Sequence, residues 1–330
     1  MVIINTISKQ HKQTRRSIDR LCDKNTRSTP SFIIIGAQKA GTTSLYESIK
    51  LHPLFSTPKR RETHNLDWRW NLNLQTTTQH QQHALSFYHT KALNFRPSCL
   101  TGDSTPSYLV HPDLIIPRIQ LVFPHEPKII AILRNPTDRA LSHYSMVTDP
   151  IATPQQRLTR GTQWIDKSFE QVIHDEFTSL KKIGLIPYWD IESQNVDMDV
   201  FNSFVGSKEE DDAYKLYQKS IPMNTGSHSL ILRGMYELQL RHWMNQYSKE
   251  KILVLNMDDL SKYPSKVMSQ VFTFIDLPDI SNTFDDYPKA NTRKYDCMVD
   301  DTRSVLDRFY ELYNRRLENL LGGSWKDCWF

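Results

Sequence analysis

Lys39 stands inside a short loop, Gly36-Ala37-Gln38-Lys39-Ala40-Gly41-Thr42-Thr43, which follows an apolar run and opens an amphipathic stretch. Such residues bind anions. Two glycines let the backbone fold back so that successive N–H groups point inward. Thr42 and Thr43 add hydroxyl donors, and a helix beginning there presents its positive end. An ATP-binding loop carries lysine directly after its second glycine. Here Thr42 has that place, and the lysine lies within the loop. The best magnesium-binding candidate, in Val254-Leu255-Asn256-Met257-Asp258-Asp259, is displaced from the end of its apolar run. A nucleotide without a β,γ-phosphate chain and metal suits these residues better than ATP. A kinase-type phosphotransferase and a plain glycine turn are the alternatives.

The loop needs elements to hold it. Phe32-Ile33-Ile34-Ile35 reads as a strand buried on both faces of a parallel sheet, and a helix is expected from about Thr43 to Leu51. Ile129–Leu133 repeats the strand pattern. Asn135 is then a helix cap and Pro136 a first helical residue, so a helix should run to about Val147. A third strand, Ile252–Leu255, follows an amphipathic helix around Leu230–Tyr247. Alternating strands and helices predict an α/β fold: a P-loop-like, three-layer arrangement with a central parallel sheet flanked by helices. Residues 150–227 lack this pattern and read either as a substrate-facing insertion or as a helical excursion with a solvated acidic run, Glu209-Glu210-Asp211-Asp212. Gln75–His83 reads as a solvated loop. Residues 1–29 form a basic arm, and 30–330 a single domain.

The loop resembles the 5′-phosphosulfate loop of the sulfotransferases, closest to the carbohydrate, heparan-sulfate-type branch and related bacterial enzymes. Leu133-Arg134-Asn135-Pro136-Thr137-Asp138-Arg139-Ala140-Leu141-Ser142 resembles that family's 3′-phosphate segment. The resemblance implies a donor, 3′-phosphoadenosine 5′-phosphosulfate (PAPS, leaving PAP), held by Gly36, Gln38, Lys39, Ala40, Gly41, Thr42 and Thr43, with Arg134 and Ser142 on the 3′-phosphate. Arg293 and Lys294, in Asn291-Thr292-Arg293-Lys294-Tyr295, resemble the late loop that closes over the nucleotide. The acceptor implied is a hydroxyl or amine of a carbohydrate or small metabolite.

Sulfuryl transfer is close to phosphoryl transfer, so the site must position reactants and stabilise spread charge. Lys39 supplies the cation at the leaving group. Glu62-Thr63-His64-Asn65-Leu66-Asp67-Trp68 resembles the family's segment whose glutamate is the general base, which implies Glu62. His64 is the rival base, and an ion pair of Glu62 with Lys59, Arg60 or Arg61 is the plainer reading. Asp103-Ser104-Thr105-Pro106-Ser107-Tyr108 resembles an element in which many members carry lysine where this chain has Ser104. Asp103, Tyr108, Lys59 and Arg60 are candidates for acceptor contact, and Lys59, Arg60 or Arg61 for the missing cation.

The bulk of the chain sets limits. It has 330 residues and a net charge of +4, but residues 1–30 hold seven basic against two acidic side chains, which leaves the remainder close to neutral. That balance favours an acceptor of little charge over a polyanion. It also gives a nucleic-acid or membrane binder acting through the arm no support outside the arm. Four separated cysteines form no metal motif, although Cys297 and Cys328 could pair. No stretch approaches the length of a membrane span. A soluble, cytoplasmic protein is expected, or a Golgi-lumen one if an anchor is removed.

Overall fold

The computed structural model describes residues 30–56, 60–87, 100–123, 125–221, 226–284, 298–326 and 328–329. In chain order these form β1 (Phe32–Gly36), α1 (Thr42–Lys50), α2 (Thr77–Phe87), β2 (Gly102–Ser104), α3 (Pro112–Val122), β3 (Lys128–Leu133) and α4 (Pro136–Val147). Next come α5 (Pro154–Arg160), α6 (Phe169–Lys182), the short hairpin β4 (Trp189–Asp190) and β5 (Asn195–Val196), α7 (Met198–Phe204) and α8 (Lys208–Ser220). The chain closes with α9 (Tyr236–Met244), β6 (Ile252–Asn256), α10 (Met257–Lys262), α11 (Pro264–Phe274) and α12 (Asp300–Leu321). The basic arm, Lys59, Arg293, Lys294 and Cys297 lie outside the described residues. No helix among those described is long and apolar enough to cross a membrane.

Two compact units emerge, residues 1–134 with 243–292, and residues 135–242 with 293–330. The first holds the whole parallel sheet, in the order β2-β1-β3-β6. All five residues of β1 are buried, as its unbroken apolar run requires. Phe32, Ile34, Ile130, Ile132 and Leu255 pack with Leu45 and Ile49 of α1 and with Val267, Met268 and Val271 of α11. The alternate residues Ile33, Ile35, Ile129, Ala131 and Leu133 are equally buried. The expected strands and the helix capped by Asn135 are present, the Asn135 side chain accepting from Asp138 N at 3.1 Å. β2 was not legible. It is three residues long, and Gly102 lies against Phe32, where an added Cβ would come within 2.3 Å of the ring.

Most of Gln75–His83, read as a solvated loop, lies instead in α2, which starts at Thr77. Thr76 Oγ1 accepts from Gln79 N at 3.2 Å, while Gln79 Oε1 accepts from Thr76 N at 3.2 Å. This reciprocal cap starts a helix whose polar, exposed face hides its periodicity.

In the second unit, α5, α6, α7 and α8 occupy much of residues 150–221. Ser168 and Thr153 open α6 and α5 with reciprocal caps. The helix expected at Leu230–Tyr247 is broken: a 3-10 turn at Leu232–Gly234 precedes α9. Gly234 lies against Tyr310, whose ring atoms would be 2.7 Å from an added Cβ, and Glu176 Oε1 accepts from Leu232 N at 3.3 Å. A buried carboxylate thus takes a backbone donor at the start of this turn, where no helical carbonyl precedes it to accept.

The acidic run is not wholly solvated either. Glu210 is fully buried, accepting from Arg241 Nη2 at 2.6 Å and Gly206 N at 2.7 Å, and Arg241 also pairs with Asp211 at 3.0 Å. Removing one partner of such a pair leaves an uncompensated buried charge. Arg241→Met should therefore cost about 3 kcal/mol or more in urea unfolding, and Glu210→Gln in the same chain should recover a large part of it.

Candidate functional site

β1 and β2 run in parallel, so both release the chain at the same edge of the sheet, where open α/β sheets bind ligands. β1 leads into the 36–43 loop. Ala37 N donates to Ile132 O at 2.8 Å and Ala40 N to Ala37 O at 3.1 Å, which closes the turn. Gly36 has no room for a side chain, because a Cβ would come within 2.7 Å of Leu109 Cβ and 3.1 Å of Pro106 O. Lys39 has φ of 72° and Gly41 φ of 90°, both left-handed, a conformation that strains a lysine but not a glycine.

Gly41 caps α1 without a side-chain bond, and the first turn of α1 holds no acidic residue. The positive end of the helix dipole therefore meets no carboxylate from its own first turn, an arrangement that favours an anion there. Gln38 Oε1 is buried without a hydrogen-bond partner, and a half-turn of the amide would offer NH₂ in its place. Ala40 and Thr42 are buried, while Lys39 and Thr43 are half-buried. Arg134, half-buried, follows the end of β3. Ser142 lies on α4 in the second unit, buried.

β2 leads to a second cluster built around one buried carboxylate. Asp103 is fully buried. Its Oδ2 accepts from Thr63 Oγ1 at 2.5 Å and its Oδ1 from Thr105 Oγ1 at 2.8 Å. Thr63 N donates to Thr105 Oγ1 at 3.2 Å, Ser104 N to Arg61 O at 3.1 Å and Leu66 N to the Tyr108 hydroxyl at 3.1 Å. Asp103 and Tyr108, both candidates for acceptor contact, are buried and engaged in holding residues 61–66. Burial pushes the Asp103 carboxyl above its ordinary value against the opposing bonds from Thr63 and Thr105. Ser104 Oγ is buried with no partner.

The segment held in this way carries a chain of charges. Arg61 Nη2 donates to Glu62 Oε1 at 2.6 Å, and Glu62 Oε2 lies 3.5 Å from His64 Nε2. His64 Nδ1 lies 2.9 Å from Asp67 Oδ2, which also accepts from Ser107 Oγ at 2.6 Å. Asp67 is buried, and Arg118 Nη1 donates to the Leu66 carbonyl at 2.6 Å. Burial alone would depress the His64 pKa and raise that of Glu62. For His64 the bonds to Asp67 and Glu62 prevail and lift it to about 9. For Glu62, burial is outweighed by the His64 bond and the Arg61 charge, so the carboxyl falls below its ordinary value. At neutral pH His64 is thus a cation and Glu62 an anion, which leaves Glu62 as the group able to accept a proton. Sequence reasoning missed Thr63, Thr105, Ser107 and Arg118. The hydroxyls beside Asp103 were the available signal, but nothing linear tied them to residues 61–67. Arg60 is exposed. Among the described residues, no group of three or more His, Cys, Asp or Glu could hold a metal.

A histidine whose folded pKa lies above its unfolded value stabilises the fold below the unfolded value, near 6.5. That contribution is lost as pH rises through about 9. It amounts to roughly 2–3 kcal/mol. Urea unfolding at pH 7 and pH 10 should show this loss for the wild-type chain, and a smaller one for His64→Gln.

With the geometry in hand, comparison with known proteins gives one family. A family model described as a sulfotransferase domain matches residues 29–327. The chain is 24% identical to the membrane-associated sulfotransferase kil1 of Dictyostelium discoideum over 90% of its length and 66% of that protein. It is also 24% identical to the human bifunctional heparan sulfate N-deacetylase/N-sulfotransferase 1, covering 95% of this chain and 31% of the relative. It therefore spans less than two thirds of each of these curated relatives. A crystal structure of a sulfotransferase from Alicyclobacillus acidocaldarius shares the fold, with a TM-score of 0.55 and 20% identity over 89% of this chain and 96% of that one. The match across residues 29–327 means that this chain belongs to the sulfotransferase family.

Proposed function

We propose that the chain transfers a sulfuryl group from PAPS to a hydroxyl or amine of a carbohydrate or small metabolite, with Glu62 as general base. The observation that carries this reading is that two features lead off the same sheet edge: the loop bearing Lys39, whose helix start holds no acidic residue, and a glutamate flanked by Arg61 and His64. The family match across 29–327 supports reading 30–330 as one catalytic domain.

PAPS, when bound, supplies an activated sulfuryl group. The N–H groups that open α1, with Gly36, Gln38, Ala40, Gly41, Thr42 and Thr43, are the residues to take its 5′-phosphate. Arg134 and Ser142 would take the 3′-phosphate, and Arg293 and Lys294 would close over the nucleotide. Lys39 brings a positive charge to the leaving-group oxygen. Glu62 accepts the acceptor proton. Charge on the nucleophile stays small in a loose transfer, so the proton moves late and a weak carboxylate base suffices. Arg61 keeps Glu62 ionised. Ser104 N is bonded to Arg61 O, so the Arg61 main chain lies beside the position where many family members carry lysine, which favours Arg61 among the candidates for the missing cation. Asp67 holds His64 in place, and His64 fixes the second Glu62 oxygen.

Equilibrium binding of adenosine 3′,5′-bisphosphate tests the donor, and an absence of binding would sink the reading. Glu62→Gln should lower kcat by about 10²–10⁴, and Lys39→Ala by about 10²–10³. Arg134→Ala should chiefly raise the donor KM, by about tenfold or more. Full activity in Glu62→Gln would return the base role to His64. In a kcat/KM profile, the acid limb should fall below the ordinary carboxylate range and the alkaline limb near pH 9, where His64 gives up its proton. Asp67→Asn should move the alkaline limb to lower pH.

A further inference from the structure

The second unit carries a cavity whose residues have no part in the proposed transfer. It has a volume of about 160 Å³ and is walled by α6, the β4–β5 hairpin and α12. An apolar cavity of about 150 Å³ admits one benzene ring. Glu170, Ile173, His174 and Phe177 are spaced to share one face of α6, and Asp301, Thr302 and Val305 line the cavity from the first two turns of α12. The Trp189 ring stacks on that of Phe177 at 5.3 Å, and both rings also meet Phe309, which does not line the cavity. The hairpin is tied to α12 by Arg308 Nη1, which donates to the Gln194 carbonyl at 3.1 Å.

The lining divides by exposure. Ile173, Phe177 and Trp189 are buried, whereas Glu170, His174 and Asp301 are exposed, so the floor is apolar and the rim acidic. Glu170 Oε1 accepts from Thr302 Oγ1 at 3.3 Å, which joins the two helices at the rim. Among the described residues neither Glu170 nor Asp301 forms an ion pair, and no lysine or arginine lines the cavity. The basic side chains that flank its lining residues in sequence are engaged elsewhere. Lys167 pairs with Asp175 at 2.7 Å and Arg303 with Asp138 at 2.8 Å, while Lys181 Nζ donates to the Trp189 carbonyl at 2.6 Å.

Two carboxylates at a surface could simply hold hydrated cations, but a metal ion would find no oxygen ligands on this floor. An aromatic floor favours a body that releases water from it, and the rim favours a positive charge on that body. We infer that the cavity binds a small organic amine, with its aromatic or alkyl part against Phe177 and Trp189 and its ammonium group donating to Glu170 and Asp301. This site owes nothing to the donor or to Glu62, so a chain that failed to bind PAP would leave it standing.

Calorimetric titration of the full chain with 2-phenylethylamine, 2-phenylethanol and 3-phenylpropionate at neutral pH tests the site. The amine should bind about tenfold tighter than the alcohol, and the carboxylate weakest of the three. Glu170→Gln combined with Asp301→Asn should bring the amine down to the affinity of the alcohol and leave the alcohol unchanged. Both carboxylates are exposed, so this double variant should keep the wild-type urea midpoint. Val305→Trp should fill the cavity and abolish binding of both; if that chain did not fold, the double variant would decide. No binding of the amine, equal affinities for amine and alcohol, or a preference that survives the double variant would overturn the site. So would an amine affinity lost in Glu62→Gln but kept in the double variant, because the amine would then sit in the acceptor position. Tighter binding of N-acetyl-lysinamide than of 2-phenylethylamine would assign the cavity to a protein side chain. An amine affinity that falls as chain concentration rises would assign it to a second copy, and either result would overturn the small-molecule assignment.

Discussion

A carboxylate with no access to water must have its oxygens bonded from within, and Asp103 meets that demand by binding two threonines. Thr105 is its near neighbour in sequence, but Thr63 is not. The bond to Thr63 ties the segment carrying Arg61, Glu62 and His64 to the end of β2. The rest of the arrangement follows from it. Ser104 bonds the Arg61 carbonyl, the Tyr108 hydroxyl takes the Leu66 N–H, and Ser107 reaches Asp67. A short strand with a weak signal of its own thereby fixes the segment that carries Arg61, Glu62 and His64. An unsatisfied buried carboxylate is costly, so the segment has few other places to go.

The charges within that segment divide the work between two groups that linear reasoning could not separate. Glu62 and His64 are both plausible bases on residue type alone. Their environments push them apart, since Asp67 and Glu62 bracket the imidazole and hold it protonated, while Arg61 and His64 keep the glutamate ionised. Pairs of titratable groups driven in opposite directions are a common way to assign acid and base roles on one scaffold.

The strands β1, β3 and β6 were legible because each is a short apolar run buried on both faces, and α4 because Asn135 and Pro136 mark its start. The 36–43 loop stood out because glycine, lysine and threonine occur there in a specific order after such a strand. β2 did not, since three residues that include Gly102 and Asp103 carry no periodic signal. α2 was hidden by its polar face, although the Thr76 and Gln79 cap could have disclosed it. The break at Gly234 and the burial of Glu210 depend on Tyr310 and Arg241, partners far away in sequence. The site divides in the same way: Lys39, Glu62 and His64 could be singled out from local pattern, and Arg61 and Asp67, which set the charges of Glu62 and His64, are their neighbours in sequence, whereas Asp103, Thr105 and Ser107, which hold that segment, are brought in by the fold.

The order of strands in the sheet has a consequence for how this protein is made. Ile129 pairs with Ile252, so the edge of β3 that receives β6 stays unpaired until the ribosome has delivered all of residues 135–251. For that interval a strand of Ile-Ile-Ala-Ile-Leu composition presents open backbone donors and acceptors, the kind of edge that templates pairing with another nascent chain. Closing so long a loop is also slow relative to local helix formation. The apolar run that makes β3 a secure centre of the finished sheet is thus the segment most in need of protection during synthesis.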